Sequence, residues 1–242
     1  MNQEVRHAVK SACQNCWHGM LREFDDLDER RKTLDYQTKI LAAAALVASL
    51  VLGIVDLGTS GAIARRQAED MQATLSDVIP PSLHDNDLLN SMITVPDAMV
   101  QAGEVRVHVA KRQDAVTGVA FAWVATGGYS GPIRLMIGID PSGKVLGARV
   151  IAHAETPGLG DKIETGKSPW ILGFTGLSLE HPLPARWKVK KDGGDFDQFA
   201  GATITPRAVV TGVAGALEFV ARHRLELGFT GARPAHPEKI VD

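Results

Sequence analysis

Residues Ile40 to Leu57 read ILAAAALVASLVLGIVDL, and Asp56 is the only strongly polar member of the run. A helix of that length rises about 27 Å, close to the hydrocarbon thickness of a bilayer. The run can be a membrane span, a buried core helix or the apolar part of a cleavable signal. A signal sits nearer the N-terminus and ends at a small-residue cleavage site, whereas a long, mostly polar segment precedes this run. The expectation is a retained single-span anchor. Arg22, Arg30, Arg31, Lys32 and Lys39 precede it, and only Arg65 and Arg66 follow closely. That excess places the N-terminus in the cytoplasm and the large C-terminal part outside. Asp56 then lies near the outer interface, solvated among headgroups.

The formal net charge is −2, and no basic stripe with interleaved aromatics occurs, which argues against nucleic acid as a partner. The only cysteines, Cys13 and Cys16, form one CxxC in the N-terminal segment. A c-type haem site needs histidine at position 17, but Trp17 is there and His18 follows. A zinc site needs two more ligands, and only His7 and His18 are close by. The pair reads as reduced cytosolic thiols. The outer part has no cysteine, so its own core must hold it together.

The pattern divides the chain into a cytoplasmic segment (1–39) with a short helix around Gln14–Asp28, a span (40–60), a stalk helix and linker (61–99), an outer domain (100–226) and a loose tail (227–242). The stalk ends at Pro80-Pro81, which cannot extend a helix. Ser82 to Pro96 reads as loop or short helix. Glu104–Ala110 then alternates polar and apolar, as a half-buried strand does. Val116–Val124 and Arg134–Ile139 are further strands, and Asp140-Pro-Ser-Gly143 is a turn that pairs the latter with Val145–His153. A short helix is expected around Trp170, a strand at Ala185–Lys191 and a C-terminal helix over Val209–Arg224. The sum is an α+β fold, an antiparallel sheet with flanking helices, behind a single N-terminal transmembrane helix.

Three glycine-rich segments carry the chemistry of the outer domain: Gly127-Gly-Tyr-Ser-Gly-Pro132, Glu155-Thr-Pro-Gly-Leu-Gly160 and Asp197-Gln-Phe-Ala-Gly-Ala-Thr-Ile-Thr205. Taken singly, each reads as a turn beside a strand. Thr203 or Thr205 can cap the last helix, with Pro206 in its first turn. Such a helix start also favours a phosphate, so Thr203 can be a hydrogen-bond donor, a cap or an attachment point. Nothing matches a phosphate-binding P-loop, a dinucleotide fingerprint or a hydrolytic triad, and His153 has no partner evident in sequence. Trp187 reads as core and Lys188 as solvated.

Taken together, GYSGPIRLMIGID, ARVIAHAETPGLGDKIE, WILGFTGLSL and DQFAGATITPRAVV, with PPSLHDNDLL and the span before them, resemble the G-subunit family of Rnf electron-transport complexes. They are similar, more distantly, to the C-type subunit of the sodium-pumping NADH:quinone reductase. The resemblance covers roughly residues 40 to 225; the N-terminal extension with its CxxC lies outside it. It implies an extracytoplasmic FMN-binding domain whose flavin is esterified through its phosphate to Thr203, with Asp197 leading the motif, Gly201 and Ala202 making room and Thr205 as the alternative acceptor. Ala200 stands where that family usually has Ser or Thr. The resemblance also implies that Thr156, Leu159 and Gly160 contact the flavin, with Glu155 nearby and Tyr129 able to approach the ring.

A threonine hydroxyl is a poor nucleophile without activation, and the family uses a separate flavin transferase. The implied role is a membrane-anchored, electron-transferring component of an ion-translocating, ferredoxin/NAD-linked complex in the bacterial inner membrane. It is a carrier rather than a stand-alone catalyst, with other membrane subunits as partners. The competing readings are an extracytoplasmic regulatory module and a stand-alone flavin reductase.

Overall fold

The computed structural model describes the backbone of residues 3–100 and 103–229, and side chains within those from Asp35 onward. The CxxC at Cys13 and Cys16 falls outside the described side chains. Two compact units are present, Met1–Arg65 and Arg66–Asp242. Helix α1 runs Gln3–Val78, where the sequence suggests a short helix, a span and a stalk. No proline occurs before Pro80, and isolated glycines cost a helix only about 1 kcal/mol each; nothing interrupts it.

In the first unit, Ile40, Leu41, Leu46, Val47, Leu50, Val51, Leu52, Ile54, Val55 and Leu57 all stand exposed. The stretch Asp35–Val78 is long and apolar enough to cross a membrane, and none of its apolar window is buried by protein. A core helix would be covered, so the buried-helix alternative fails here.

The second unit is built on a five-stranded antiparallel meander in the order β1-β2-β3-β4-β5: β1 (Met92–Pro96), β2 (Glu104–Arg112), β3 (Ala115–Ala125), β4 (Ile133–Ile139) and β5 (Val145–Ala152). The β4–β5 hairpin closes through the expected Asp140–Gly143 turn, in which the Gly143 N–H donates to the Asp140 carbonyl at 3.0 Å. Strand β1 lies in a stretch the sequence suggests is linker. It is a five-residue edge strand ending in proline, and such short edges carry little period-2 signal.

The expected strand at Ala185–Lys191 is instead two 3-10 turns, Pro184–Arg186 and Lys190–Asp192, with one bridge between Val189 and Phe196. Its alternation is real, because Trp187 and Val189 are buried while Lys188 and Lys190 are exposed. It packs against the core without joining the sheet. The short helix around Trp170 is present as a 3-10 segment, Pro169–Phe174.

Both faces of the sheet are covered. Ile133, Leu135, Ile137 and Ile139 of β4 point to one core, where helix α2 (Ile204–Arg222) contributes Val209, Val213, Ala216, Leu217 and Val220. Helix α2 also has the length and hydropathy of a span, but most of it is buried in this core. On the other face Met136, Ala110 and Ala120 pack with Leu75, Val78 and Ile79 from the end of α1 and the residue after it. Leu227 and Phe229, from the stretch read as tail, are buried in the first core.

Two sites pin these layers. Gly138 and Gly147 are cross-strand partners and leave a notch for the end of α1. A Cβ at Gly138 would sit 2.2 Å from the Val78 carbonyl oxygen, and one at Gly147 would sit 2.9 Å from the Asp77 carbonyl oxygen. At the opposite edge, buried Asp97 follows β1 and accepts from Arg222 of α2 at 2.8 Å and from the Met99 N–H at 2.8 Å. Burial alone would raise the Asp97 carboxyl, but the hydrogen bonds from Arg222 and Met99, with the charges of Arg222 and His223, hold it below its ordinary value.

Gly138→Ala is expected to lower stability by about 1–3 kcal/mol through overpacking, read from denaturant unfolding. For Asp97, the ionised form is favoured in the folded chain. Its stabilisation is therefore complete above the ordinary value of 3.8 and is lost as pH falls through the lower folded value. Asp97→Asn should cost about 1.5–3 kcal/mol at pH 7, and the gap in melting temperature from wild type should narrow as the pH falls below that ordinary value.

Candidate functional site

Three loops converge on the start of α2: the β3–β4 connection, the chain leaving β5, and the turn before Thr203. Tyr129, Glu155, Thr156, Leu159, Gly160, Gly201, Ala202, Thr203, Ile204 and Thr205 line one cavity of about 330 Å³. All but Ile204 are residues that the family resemblance implies for the flavin site. Ile204 is exposed and opens α2, which begins five residues before the Val209 start that the apolar spacing suggests.

Local geometry explains the convergence. The N–H groups of Leu159 and Gly160 both donate to the Thr156 carbonyl, at 3.2 and 3.1 Å, so ETPGLG folds into one tight turn. Gly201 has φ of 81°, a conformation that side chains resist, and the turn closes with the Ala202 N–H donating to the Phe199 carbonyl at 3.1 Å. Buried Phe199 packs edge-on to Trp170 at 5.2 Å, and Trp170 Nε1 donates to the Asp197 carbonyl at 2.9 Å. Aromatic packing thus anchors the approach to Thr203.

The side chain of Asp197 is not in this cavity. It pairs with Lys190 Nζ at 2.6 Å and lines a neighbouring groove with Trp170 and Phe196. Ala200 is exposed, so the hydroxyl absent at that position would face solvent. Trp187 is core and Lys188 solvated, as expected.

The two threonines are in different states. Thr203 occupies the N-cap position, its side chain makes no capping bond, and its hydroxyl has no partner among the described residues. Thr205 does not cap the helix. It is 1% exposed and lies inside the first turn, where its hydroxyl donates to Glu155 Oε2. The N–H groups of Thr203, Ile204 and Thr205 make no hydrogen bond among the described residues, and Pro206 has none to offer. The helix start therefore presents unused donors beside a free hydroxyl.

Glu155 is 5% exposed. Its Oε1 accepts from the Ser130 N–H at 3.1 Å and its own N–H donates to His153 Nδ1 at 3.1 Å. His153 also meets Glu164 Oε1 through Nε2 at 2.7 Å, partners invisible in sequence. Asp161, following the loop, is buried; the nearby Gly158 backbone N–H, aided by the Lys167 charge, holds its carboxyl below the usual carboxylate range.

The FMN-binding domain family matches residues 128–218, which take in the first loop from Gly128 onward and the other two whole. The matched stretch holds β4, β5, most of α2 and the cavity at the start of that helix, and it makes this part of the second unit an FMN-binding domain. The G subunit of the ion-translocating oxidoreductase complex of Cereibacter sphaeroides is 52% identical over 188 residues, covering 78% of this chain and 84% of that protein. The corresponding G subunit from Stutzerimonas stutzeri is 44% identical over 204 residues, covering 84% and 88%. That from Shewanella amazonensis is 43% identical, covering 77% and 88%. The chain belongs to this family, the G subunits of ion-translocating oxidoreductase complexes.

The cavity suits FMN in its donor set. The free hydroxyl and unused N–H groups at a helix N-terminus suit a phosphate, and the exposed side chains of Tyr129, Leu159 and Ile204 suit the flat faces of a ring system.

Gly160 tests how tightly this cavity is built. A Cβ there would lie 2.9 Å from Thr205 Oγ1 and 3.0 Å from Glu155 Oε2. Gly160→Ala should destabilise the flavin-free protein by about 1–3 kcal/mol, measured as a lower denaturation midpoint.

Proposed function

We propose that this chain is the FMN-carrying component of an ion-translocating, ferredoxin/NAD-linked electron-transport complex, anchored by one span and tethered to FMN through a phosphoester at Thr203. The observation that carries the tether is the contrast between the two threonines. Thr205 is buried and committed to Glu155, whereas Thr203 is half-buried, faces the cavity and has no partner among the described residues. A phosphate on the Thr203 oxygen would lie where the helix N–H groups and dipole favour negative charge.

FMN, when bound, supplies the electron-transfer chemistry. The chain supplies the tether at Thr203, ring contacts from Tyr129, Thr156, Leu159 and Ile204, and backbone clearance at Gly160, Gly201 and Ala202. Among the described residues no base faces the Thr203 hydroxyl, because Glu155 is engaged by Thr205 and Ser130. Attachment therefore belongs to a separate flavin transferase, which approaches the exposed segment around Asp197 and Ala200. Asp197 acts in that recognition rather than as a ligand to the flavin.

The basic residues before Ile40 put the N-terminus in the cytoplasm and the FMN domain on the outer side of the bacterial inner membrane. A covalent link there keeps the cofactor from being lost. The other membrane subunits of the complex are the redox partners.

Produced together with a flavin transferase and run on a denaturing gel, the wild-type chain should fluoresce under ultraviolet light and Thr203→Val should not. Fluorescence surviving in Thr203→Val would move the tether elsewhere. A dark wild-type band from such a host would sink the electron-carrier reading.

A further inference from the structure

The two conspicuous glycine motifs share a feature that flavin contact does not explain. A Cβ at Gly128 would sit 2.3 Å from the Gly131 carbonyl oxygen and 2.8 Å from Glu155 Oε1. A Cβ at Gly160 would press on the Glu155 side chain and the Thr205 hydroxyl. Both glycines clear space around one carboxylate. That carboxylate is almost fully buried, and each oxygen is taken by a different segment: Oε1 by the Ser130 N–H of the β3–β4 loop and Oε2 by the Thr205 hydroxyl of α2. A buried carboxylate is tolerable only when so satisfied, so the three cavity walls are held at one separation.

We propose that Glu155 is the positioning residue of the flavin site. It clips the β3–β4 loop and the first turn of α2 to the ETPGLG loop, acting through Thr205 and Ser130. It thereby sets where the Thr203 hydroxyl stands, and its charge lowers the potential of the adjacent flavin. This inference rests on the reading of Thr203 as the tether. Ile204 is the single residue between Thr203 and Thr205, so a shift of Thr205 is passed to Thr203 within one helical turn. Glu155→Gln keeps the shape but removes the charge and one acceptor oxygen, so the Thr205 hydroxyl has to turn from donating to accepting and its own proton loses the carboxylate. Thr205→Val keeps the shape and removes only the hydroxyl, and Thr205→Ser returns it.

The experiment uses the full chain in detergent, produced with a flavin transferase, with Thr203→Val alongside. The readouts are in-gel flavin fluorescence per protein, the midpoint potential of the flavin that is attached, and thermal unfolding. The expected result is a loss of attached flavin of about fivefold or more in Glu155→Gln and Thr205→Val. Recovery in Thr205→Ser and a more positive midpoint potential in Glu155→Gln complete the expectation. If Glu155→Gln does not fold, the isosteric Thr205→Val and Thr205→Ser pair decides, since with Thr203→Val dark, which excludes Thr205 as the acceptor, only the clip requires a hydroxyl there. Attachment equal to wild type in Thr205→Val, or an unchanged potential in a folded, flavinylated Glu155→Gln, overturns the proposal. A fluorescent Thr203→Val overturns the tether instead; a dark Thr203→Val beside a fully loaded Thr205→Val overturns the clip alone.

Discussion

A carboxylate closed off from water must have its lone pairs met by donors, or it costs several kcal/mol. Glu155 meets that demand with the Ser130 amide and the Thr205 hydroxyl, and the cavity is arranged around the solution. The β3–β4 loop can approach because position 128 has no side chain, and the ETPGLG turn can close because position 160 has none. The α2 helix begins where its second residue reaches the carboxylate. What remains at the surface is a hydroxyl at Thr203 without a partner among the described residues and a helix end with unused N–H groups.

The remainder of the domain keeps those loops still. The meander is sealed on one face by α2 and on the other by the end of α1, which seats in the Gly138–Gly147 notch. Asp97 and Arg222 join the edge strand to the far end of α2, and Trp170 with Phe199 holds the approach to Thr203. The site's residues come from loops, but each loop leaves or enters a packed element within a few positions. That suits a carrier whose cofactor must stay in place while electrons pass.

Much of the domain was legible because its periodicities are undisturbed. β2 alternates, β4 and β5 flank a strong turn, and α2 repeats its apolar residues at helical spacing. β1 was hidden by its shortness and its terminal proline. The false strand at Ala185–Lys191 had the right alternation but no neighbour to pair with, and pairing is a property of the assembled sheet. Among site residues, the glycine-rich loops stood out by composition only as turns, and the family resemblance made them site loops. Ile204 did not stand out, because the apolar spacing suggested a helix only from Val209, and the exposure of Ile204 at the start of α2 belongs to the folded chain. The same limit made Thr205 look like a cap and left His153 without a partner, since Glu164 and the Glu155 amide reach it only across a folded turn.

By itself the sequence determined the apolar span and its flanking charges, the antiparallel α+β class, the family and the threonine-bearing segment. All of these depend on local pattern, which survives in a linear chain. The tertiary structure decided which threonine is free and which is spent, and it placed the Asp197 side chain outside the cavity. It also gave Gly128 and Gly160 a common purpose. Those outcomes depend on contacts between segments far apart in the chain, where burial and hydrogen-bond geometry, not residue type, choose the partner.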